Sequence, residues 1–305
     1  MIHAGTSGTV VFIDGRRVPD TEAKVSVFDR GLLYGDSVFE TIATHGGRPF
    51  MLVEHIRRLR HSTELVYIEL SVDDSTLCRE IEAAIAASGN SECYLRLTVT
   101  RGIGELGLDP GLAGMPCRIL IVTPLIRPSE EAYAKGVTAI SYRTQRTAES
   151  TEATGAKVGN YLVAVLAMRK AWPVHANEAL IVNSEGKVVE GATSNLFARF
   201  GQELITPAES AGILPGITRQ LVLEVAGRHG VPIVYHCPTL RELGTADEVF
   251  ITSSVREMLA VVSLDGCQVG GGTPGPMFRK LWLSYRELVE EKLASAPRFF
   301  SAVPT

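Results

Sequence analysis

Short runs in which apolar and polar positions alternate dominate the first 125 residues. VVFID (10–14) and SVFETIAT (37–44) read as strands, with a turn at GGRP (46–49) before FMLV. In EHIRRLRHSTELV, Ile56, Leu59 and Val66 recur at helical spacing and predict a helix over about 54–66. A second helix is expected over about 75–88, with Asp74 or Ser75 as N-cap and Leu77, Ile81 and Ile85 on one face. CYLRLTVT (93–100) alternates: Leu95, Leu97 and Val99 point one way, and Tyr94, Arg96, Thr98 and Thr100 the other. The continuous apolar run CRILIVTPLI (117–126) predicts a strand of the buried type, closed by proline.

IRPSEEAYAKG (126–136) is the most polar break near the middle and is expected to link two domains, 1–125 and 137–305. The second part opens with strands, followed by TGAKVGNYL and a helix over about 160–172. EALIVNSEGKVVEG (178–191) predicts a hairpin turning at Asn183 to Gly186. ILPGITRQLVLEVAG (213–227) is a tight turn feeding an amphipathic helix whose Leu221, Val222 and Val225 face inward. EVFITSS (248–254) is a strand ending in hydroxyls, GCQVGGGTPGP (266–276) a glycine-proline loop, and about 277–293 a last helix. No internal repeat is evident. This order of elements predicts an α+β fold of two domains with largely antiparallel sheets rather than regular βαβ winding.

Composition narrows the class. With 305 residues, 45% apolar and 21% charged, the chain reads as a soluble globular protein. A formal charge of −4 leaves no basic surplus for nucleic acid. The longest apolar stretch, around 119–123, is far too short to span a bilayer. MIHAGTSGTVVFIDGRR lacks the charged start and long apolar core of a signal peptide, so none is expected. The five cysteines, 78, 93, 117, 237 and 267, are odd in number and scattered, with no metal-ligand spacing. Free thiols in a reducing cytoplasm, and no metal, are the expectation.

Three segments of the second part carry candidate chemistry. Lys157 sits between Gly155-Ala156 and Val158-Gly159. It is either a solvated lysine near a helix start or an amine that small neighbours leave accessible to a large group; an amine shielded from water is the form that condenses with an aldehyde. Leu214-Pro215-Gly216 places a turn before a helix N-terminus, where unpaired N–H groups make an anion site and Thr218 adds a hydroxyl; a plain helix start reads the same way. Thr252-Ser253-Ser254 offers a second such turn. Glu190, closing a strand ahead of Gly-Ala-Thr-Ser, is either a rim carboxylate or the partner of a buried cationic nitrogen. Arg58 is ambiguous among Arg57 and Arg60, which belong equally well to a solvated helix face.

An amine, a phosphate cup and a carboxylate together are what pyridoxal phosphate needs. The motifs VSVFDRGLLYGDSVFET, EHIRRLRHS, YLRLTVTRGIGELGLDP, AKVGNYL, VVEGATSNLF, LPGITR and EVFITSS occur in that order. On these the chain resembles, over nearly its whole length, the fold-type IV aminotransferases: branched-chain and D-amino acid transaminases, (R)-amine transaminases and aminodeoxychorismate lyases. The resemblance implies pyridoxal 5'-phosphate as cofactor and Lys157 as the Schiff-base lysine and proton shuttle. It implies Glu190 at the ring nitrogen, Tyr161 at the ring hydroxyl and Leu214 packed on the ring. Phosphate would fall to Arg58, to Ile217 and Thr218, and to Ser254. It further implies a homodimer in which each pocket is completed by the neighbouring subunit.

For substrate, Tyr94-Leu95-Arg96 resembles the Tyr-x-Arg of branched-chain enzymes. The tyrosine would help place the α-carboxylate and the arginine accept the side-chain carboxylate of glutamate. Tyr34 and Phe39 would line an apolar pocket for leucine, isoleucine or valine, and backbone amides around Ser253 and Val255 would meet the α-carboxylate. The implied activity exchanges an amino group between these amino acids and 2-oxoglutarate. The alternative roles for Tyr94 and Arg96 are an interface tyrosine and a structural ion pair. The loop GIGELGLDP has no basic residue, unlike the best-known D-amino acid transaminases, and VVEGATSNLF and TSSV depart from the lyases. Against that, Thr41, Ser253-Ser254-Val255 and the short Lys157–Tyr161 interval resemble the D-amino acid and (R)-amine side, so that alternative stays open.

Overall fold

The computed structural model describes residues 8–144 and 152–296. The start of the segment read for a signal peptide, residues 1–7, lies outside them. Among the described residues the chain forms two compact units: 8–126 with 156–160 and 292–296, and 127–144 with 152–155 and 161–291. The boundary after Ile126 is followed by structure rather than by open link. Ser129 accepts from the Ala132 N–H and so caps a helix over Glu130–Lys135, within the stretch expected to be a linker. Residues 156–160 and 292–296, expected in the second domain, group with the first unit.

The first unit contains β1 (Val10–Ile13), β2 (Arg16–Val18), α1 (Arg30–Tyr34), β3 (Ser37–His45), β4 (Arg48–Pro49), α2 (Leu52–Leu65), α3 (Asp74–Ser88), β5 (Cys93–Thr100) and β6 (Cys117–Pro124). Its sheet, in order β2-β1-β6-β5-β3-β4, is antiparallel throughout. Alternation along the strands sends Val38, Ile42, Leu95, Leu97, Leu120 and Val122 to one face. There they bury against Ile56 and Leu59 of α2 and Leu77, Ile81 and Ile85 of α3. Two sequence expectations shift. Asp73, one residue ahead of the two candidates, caps α3 by accepting from the Thr76 N–H. β6 is not buried on both faces: Leu120 and Val122 are in the core, while Ile119 and Ile121 are only partly covered. Ile121 stands opposite Arg96, so the second face of this sheet is chemically mixed.

The second unit contains α4 (Glu130–Lys135), β7 (Val137–Arg143), α5 (Leu162–Ala171), β8 (Glu178–Val182), β9 (Val188–Gly191), β10 (Asn195–Phe200), β11 (Glu203–Thr206), α6 (Ile217–Arg228), β12 (Ile233–Tyr235), α7 (Leu240–Leu243), β13 (Glu248–Ser253), β14 (Glu257–Leu264), β15 (Cys267–Gln268) and, as far as Glu291, α8 (Pro276–Ser295). The sheet runs β12-β11-β10-β13-β14-β7-β8-β9, with β15 paired to β14. It is mixed: β11–β12, β14–β7 and β7–β8 are parallel, the remainder antiparallel. The β8–β9 hairpin turns at Asn183 to Gly186, as the pattern predicts. Among the described residues no helix is long and apolar enough to cross a membrane, and no cluster of side chains is arranged to hold a metal ion.

Leu95, on β5, is fully buried in the first unit's core. Leu95→Ala is expected to destabilise by about 3 kcal/mol through lost burial and a residual cavity. Urea unfolding monitored by circular dichroism checks this, with the midpoint falling and the slope unchanged.

Candidate active site

Lys157 is held by the backbone of β3. The Phe39 N–H donates to the Lys157 carbonyl at 2.9 Å and the Gly159 N–H to the Ser37 carbonyl at 2.7 Å, which bracket an antiparallel bridge between Val38 and Val158. The small neighbours of the lysine allow this approach: a Cβ on Gly159 would stand 2.1 Å from the Ser37 hydroxyl. The Lys157 N–H donates to Ser62 Oγ of α2 at 3.1 Å, so sheet and helix both fix the residue. The half-buried Lys157 has its Nζ 4.8 Å from the centre of the Phe39 ring, and the Arg96 guanidinium lies 3.7 Å from the same ring.

Arg58 is not on a solvated helix face. Its fork is buried and bidentate on Glu40, Nε to Oε1 at 2.7 Å and Nη2 to Oε2 at 2.8 Å. Glu40 shares the helix-facing side of β3 with Val38 and Ile42, and His55 Nδ1 meets its Oε2 at 2.7 Å. Burial alone would raise the Glu40 carboxyl. The Arg58 charge and hydrogen bonds, with those of His55, outweigh it and hold the carboxyl at about 2. Burial pushes His55 below its ordinary value against the attraction of Glu40.

The other face of the sheet brings Tyr94 and Arg96 of β5 beside Phe39 and Thr41 of β3, with Thr41 directly opposite Arg96. Tyr34, at the end of α1, is tied to the loop after β5. Its hydroxyl accepts from the Gly107 N–H at 3.1 Å, and the buried Arg30 donates to the Gly107 carbonyl at 2.9 Å.

In the second unit, Glu190 closes β9 and its Oε2 accepts from the Leu214 N–H at 3.2 Å. Asn195, which the sequence reading did not single out, organises the turn that follows. Its Nδ2 donates to the Leu214 carbonyl at 2.9 Å, and a Cβ on Gly216 would come within 1.9 Å of its Oδ1. Gly216 caps α6 with no side-chain acceptor, which leaves the N–H groups of the first turn, Ile217 and Thr218, without a capping acceptor. The Thr218 hydroxyl is hydrogen-bonded to the buried Tyr285. Thr252 pairs with Asn195 across β10 and β13, and its buried Oγ1 has no partner among the described residues. Ser253 ends β13, and Ser254 and Val255 lie in the turn to β14; Tyr161 precedes α5 as its N-cap. An uncapped helix start, an orphaned hydroxyl and a fixed carboxylate fit a phosphorylated, nitrogen-protonated ring.

The model of the amino-transferase class IV family matches residues 37–264, and the chain belongs to that family. A proposed branched-chain-amino-acid aminotransferase of Methanocaldococcus jannaschii is 36% identical over 91% of this chain and 96% of its own. A D-alanine aminotransferase of Bacillus licheniformis is 33% identical over 89% and 94%. Among solved structures, a branched-chain amino acid aminotransferase (T.th.) with pyridoxamine 5'-phosphate is 31% identical, covers 96% of each chain and superposes with a TM-score of 0.86. The fold is therefore fold type IV, and the protein is an aminotransferase.

The Glu40 cluster makes stability depend on pH in a defined direction. Glu40 titrates lower in the fold than its usual 4.5, so its contribution is present above that value and lost as pH falls towards about 2. His55, also lowered, adds a loss that begins as pH falls below its ordinary 6.5. Glu40→Gln is expected to cost about 3 kcal/mol at neutral pH by stranding Arg58, and to flatten the acid limb below pH 4.5. Chemical denaturation of both proteins from pH 7 to pH 3 measures it.

Proposed function

We propose that this aminotransferase moves the amino group of leucine, isoleucine or valine, in the L series, to 2-oxoglutarate. The cofactor is pyridoxal 5'-phosphate; when bound it supplies an aldehyde carbon to take up the amino group and a ring to delocalise the charge left at Cα. The amine of Lys157 holds that aldehyde carbon between turnovers and carries the proton between Cα and C4′. Glu190, fixed by the Leu214 N–H, keeps the ring nitrogen protonated. Tyr161 donates to the ring hydroxyl, and Leu214 covers a ring face. Arg58, the N–H groups of Ile217 and Thr218, and Ser254 bind phosphate.

The observation that carries the substrate reading is the row Phe39, Tyr94 and Arg96 on one sheet face. A guanidinium stacked on a phenyl ring keeps its N–H edge for a carboxylate, which suits a dicarboxylic oxo acid. Phe39 beside it gives an apolar wall for a branched side chain. Tyr94 and the amides around Ser253 and Val255 take the α-carboxylate, and Tyr34 borders the pocket. A second reading, D-amino acid or (R)-amine transamination, is favoured by Thr41 directly opposite Arg96 and by the 33% identity to a D-alanine aminotransferase. An aminodeoxychorismate lyase is the weaker alternative.

The working form is a homodimer with a shared active site. Leu32, Ile103, Leu106, Leu108 and Met115 are exposed apolar residues of α1 and the loop after β5, and the two segments are bound by the Gly107 N–H to Tyr34 hydroxyl contact. A second copy covering these residues would order the same loop that holds Tyr34. All five cysteines are free thiols, Cys267 at the surface, in keeping with the cytoplasm.

Three measurements test the function. The visible spectrum of the holoenzyme is followed on adding L-leucine, and separately D-alanine. A change with L-leucine alone is expected; a change with D-alanine alone transfers the enzyme to the second reading. Lys157→Ala abolishes turnover, and retained activity overturns the assignment. Arg96→Ala should raise KM for 2-oxoglutarate by about tenfold or more while leaving leucine within a few fold, since only the dicarboxylate needs the extra cation. An equal loss for both makes Arg96 structural.

A further inference from the structure

Every nitrogen of the Arg256 guanidinium is engaged inside the second unit. Nη2 donates to Glu178 Oε2 at 2.5 Å and to Thr193 Oγ1 at 2.6 Å, Nη1 to the Asn177 carbonyl at 3.2 Å, and Nε to Ser253 Oγ at 3.4 Å. The Arg256 N–H also donates to Ser253 Oγ, at 3.3 Å. Glu178 is fully buried, and the same Oε2 accepts from the hydroxyls of Thr193 at 3.0 Å and Ser194 at 2.8 Å. The backbone is fitted to this arrangement: a Cβ on Gly191 would meet Ser194 Oγ at 2.2 Å and Glu178 Cδ at 3.0 Å. One ion pair therefore joins two turns far apart in sequence. They are 191–195, which follows Glu190, and 253–256, which connects β13 to β14.

We propose that Arg256 is the positioning residue of the amino-acid end of the site. Through Ser253 it sets the turn whose amides take the substrate's α-carboxylate and adds the Ser253 hydroxyl to them, and through Glu178 it locks the turn after Glu190 to the same frame. The proposal rests on the aminotransferase site assigned above and adds to it a residue that does not touch substrate. With four of its five guanidinium N–H groups taken up inside the protein, Arg256 keeps no two-pronged edge for a ligand carboxylate, unlike Arg96. Ser253 Oγ accepts two hydrogen bonds from Arg256, so its own proton is the one left to donate, and accepting from a cation strengthens that donor. Burying the Glu178 charge is tolerated because the guanidinium and two hydroxyls satisfy it.

The test compares wild-type holoenzyme with Arg256→Ala, Arg256→Lys and Glu178→Gln. Three readouts are taken: KM and kcat for amino donor and oxo acid, the Kd of 4-methylvalerate by spectral titration, and amide hydrogen exchange. Arg256→Ala is expected to raise KM and Kd about tenfold, the value of one hydrogen bond to a charged group, with kcat within about threefold. Amides of both turns, 191–195 and 253–256, should exchange faster together. Arg256→Lys, which restores charge and one donor, should recover part of the affinity, and Glu178→Gln should shift Kd in the same direction by less. An unchanged Kd, a loss confined to kcat, or faster exchange in one turn alone overturns the proposal. Should Arg256→Ala not fold, an unchanged Kd in the near-isosteric Glu178→Gln does the same. If wild type responds to no amino acid, the functional reading fails by itself, while the exchange experiment, which needs no substrate, still decides the coupling.

Discussion

The pairing of Glu40 with Arg58 is the constraint on which the first unit's chemistry depends. A carboxylate on the helix-covered side of a strand is costly unless compensated, and here it is met by a two-pronged guanidinium and an imidazole from one helix. The same strand, β3, then has three functions at successive residues. Ser37 and Phe39 hold the Lys157 segment by backbone hydrogen bonds, Glu40 holds Arg58, and Phe39 and Thr41 face the row that includes Arg96. A shift of β3 by one residue would exchange these faces and undo all three. The buried ion pair is thus a register device as much as a source of stability.

The second unit solves its positioning problem with neutral groups and turns. Asn195 at the start of β10 binds the Leu214 carbonyl and abuts Gly216, while Leu214 itself donates to Glu190. One amide side chain therefore sets the spacing between a strand-end carboxylate and a helix N-terminus. The α6 helix packs against β13, so the orphaned Thr252 hydroxyl comes to the same region by strand pairing with Asn195. Donors collected this way need no lysine or arginine from this unit to attract an anion, because N–H groups at a helix start already carry the partial charge.

Much of this was legible in the sequence, for physical reasons that differ by residue. Lys157 and the Gly216 turn were visible because each breaks the expected pattern of its element, and strands β3 and β5 because alternation over eight or nine residues is hard to mistake. The two-faced character of β6 was not legible, since a run of isoleucines and valines looks the same whether one face or both are buried. Glu40, His55, Glu178 and Arg256 were missed together. Each is a charged or titratable residue made useful only by a partner 15 to 78 positions away, and no local spacing encodes that. The same holds for Asn195, whose value lies in the contacts of its side chain rather than in its strand.

The arginines show why residue type alone underdetermines role. Arg58, Arg96 and Arg256 are chemically identical, and the sequence offers only the first two as candidate anion ligands. Arg58 is clamped on a carboxylate, Arg256 is held through every nitrogen by three acceptor residues and its own turn, and Arg96 is stacked on a ring face. Stacking uses the face of the guanidinium and leaves its edge; hydrogen bonds at every nitrogen use the edge itself. Of the latter two, Arg96 is therefore suited to recognise a substrate carboxylate, whereas Arg256 can affect recognition only through what it holds. That division follows from hydrogen-bond geometry and does not depend on which amino acid the enzyme prefers.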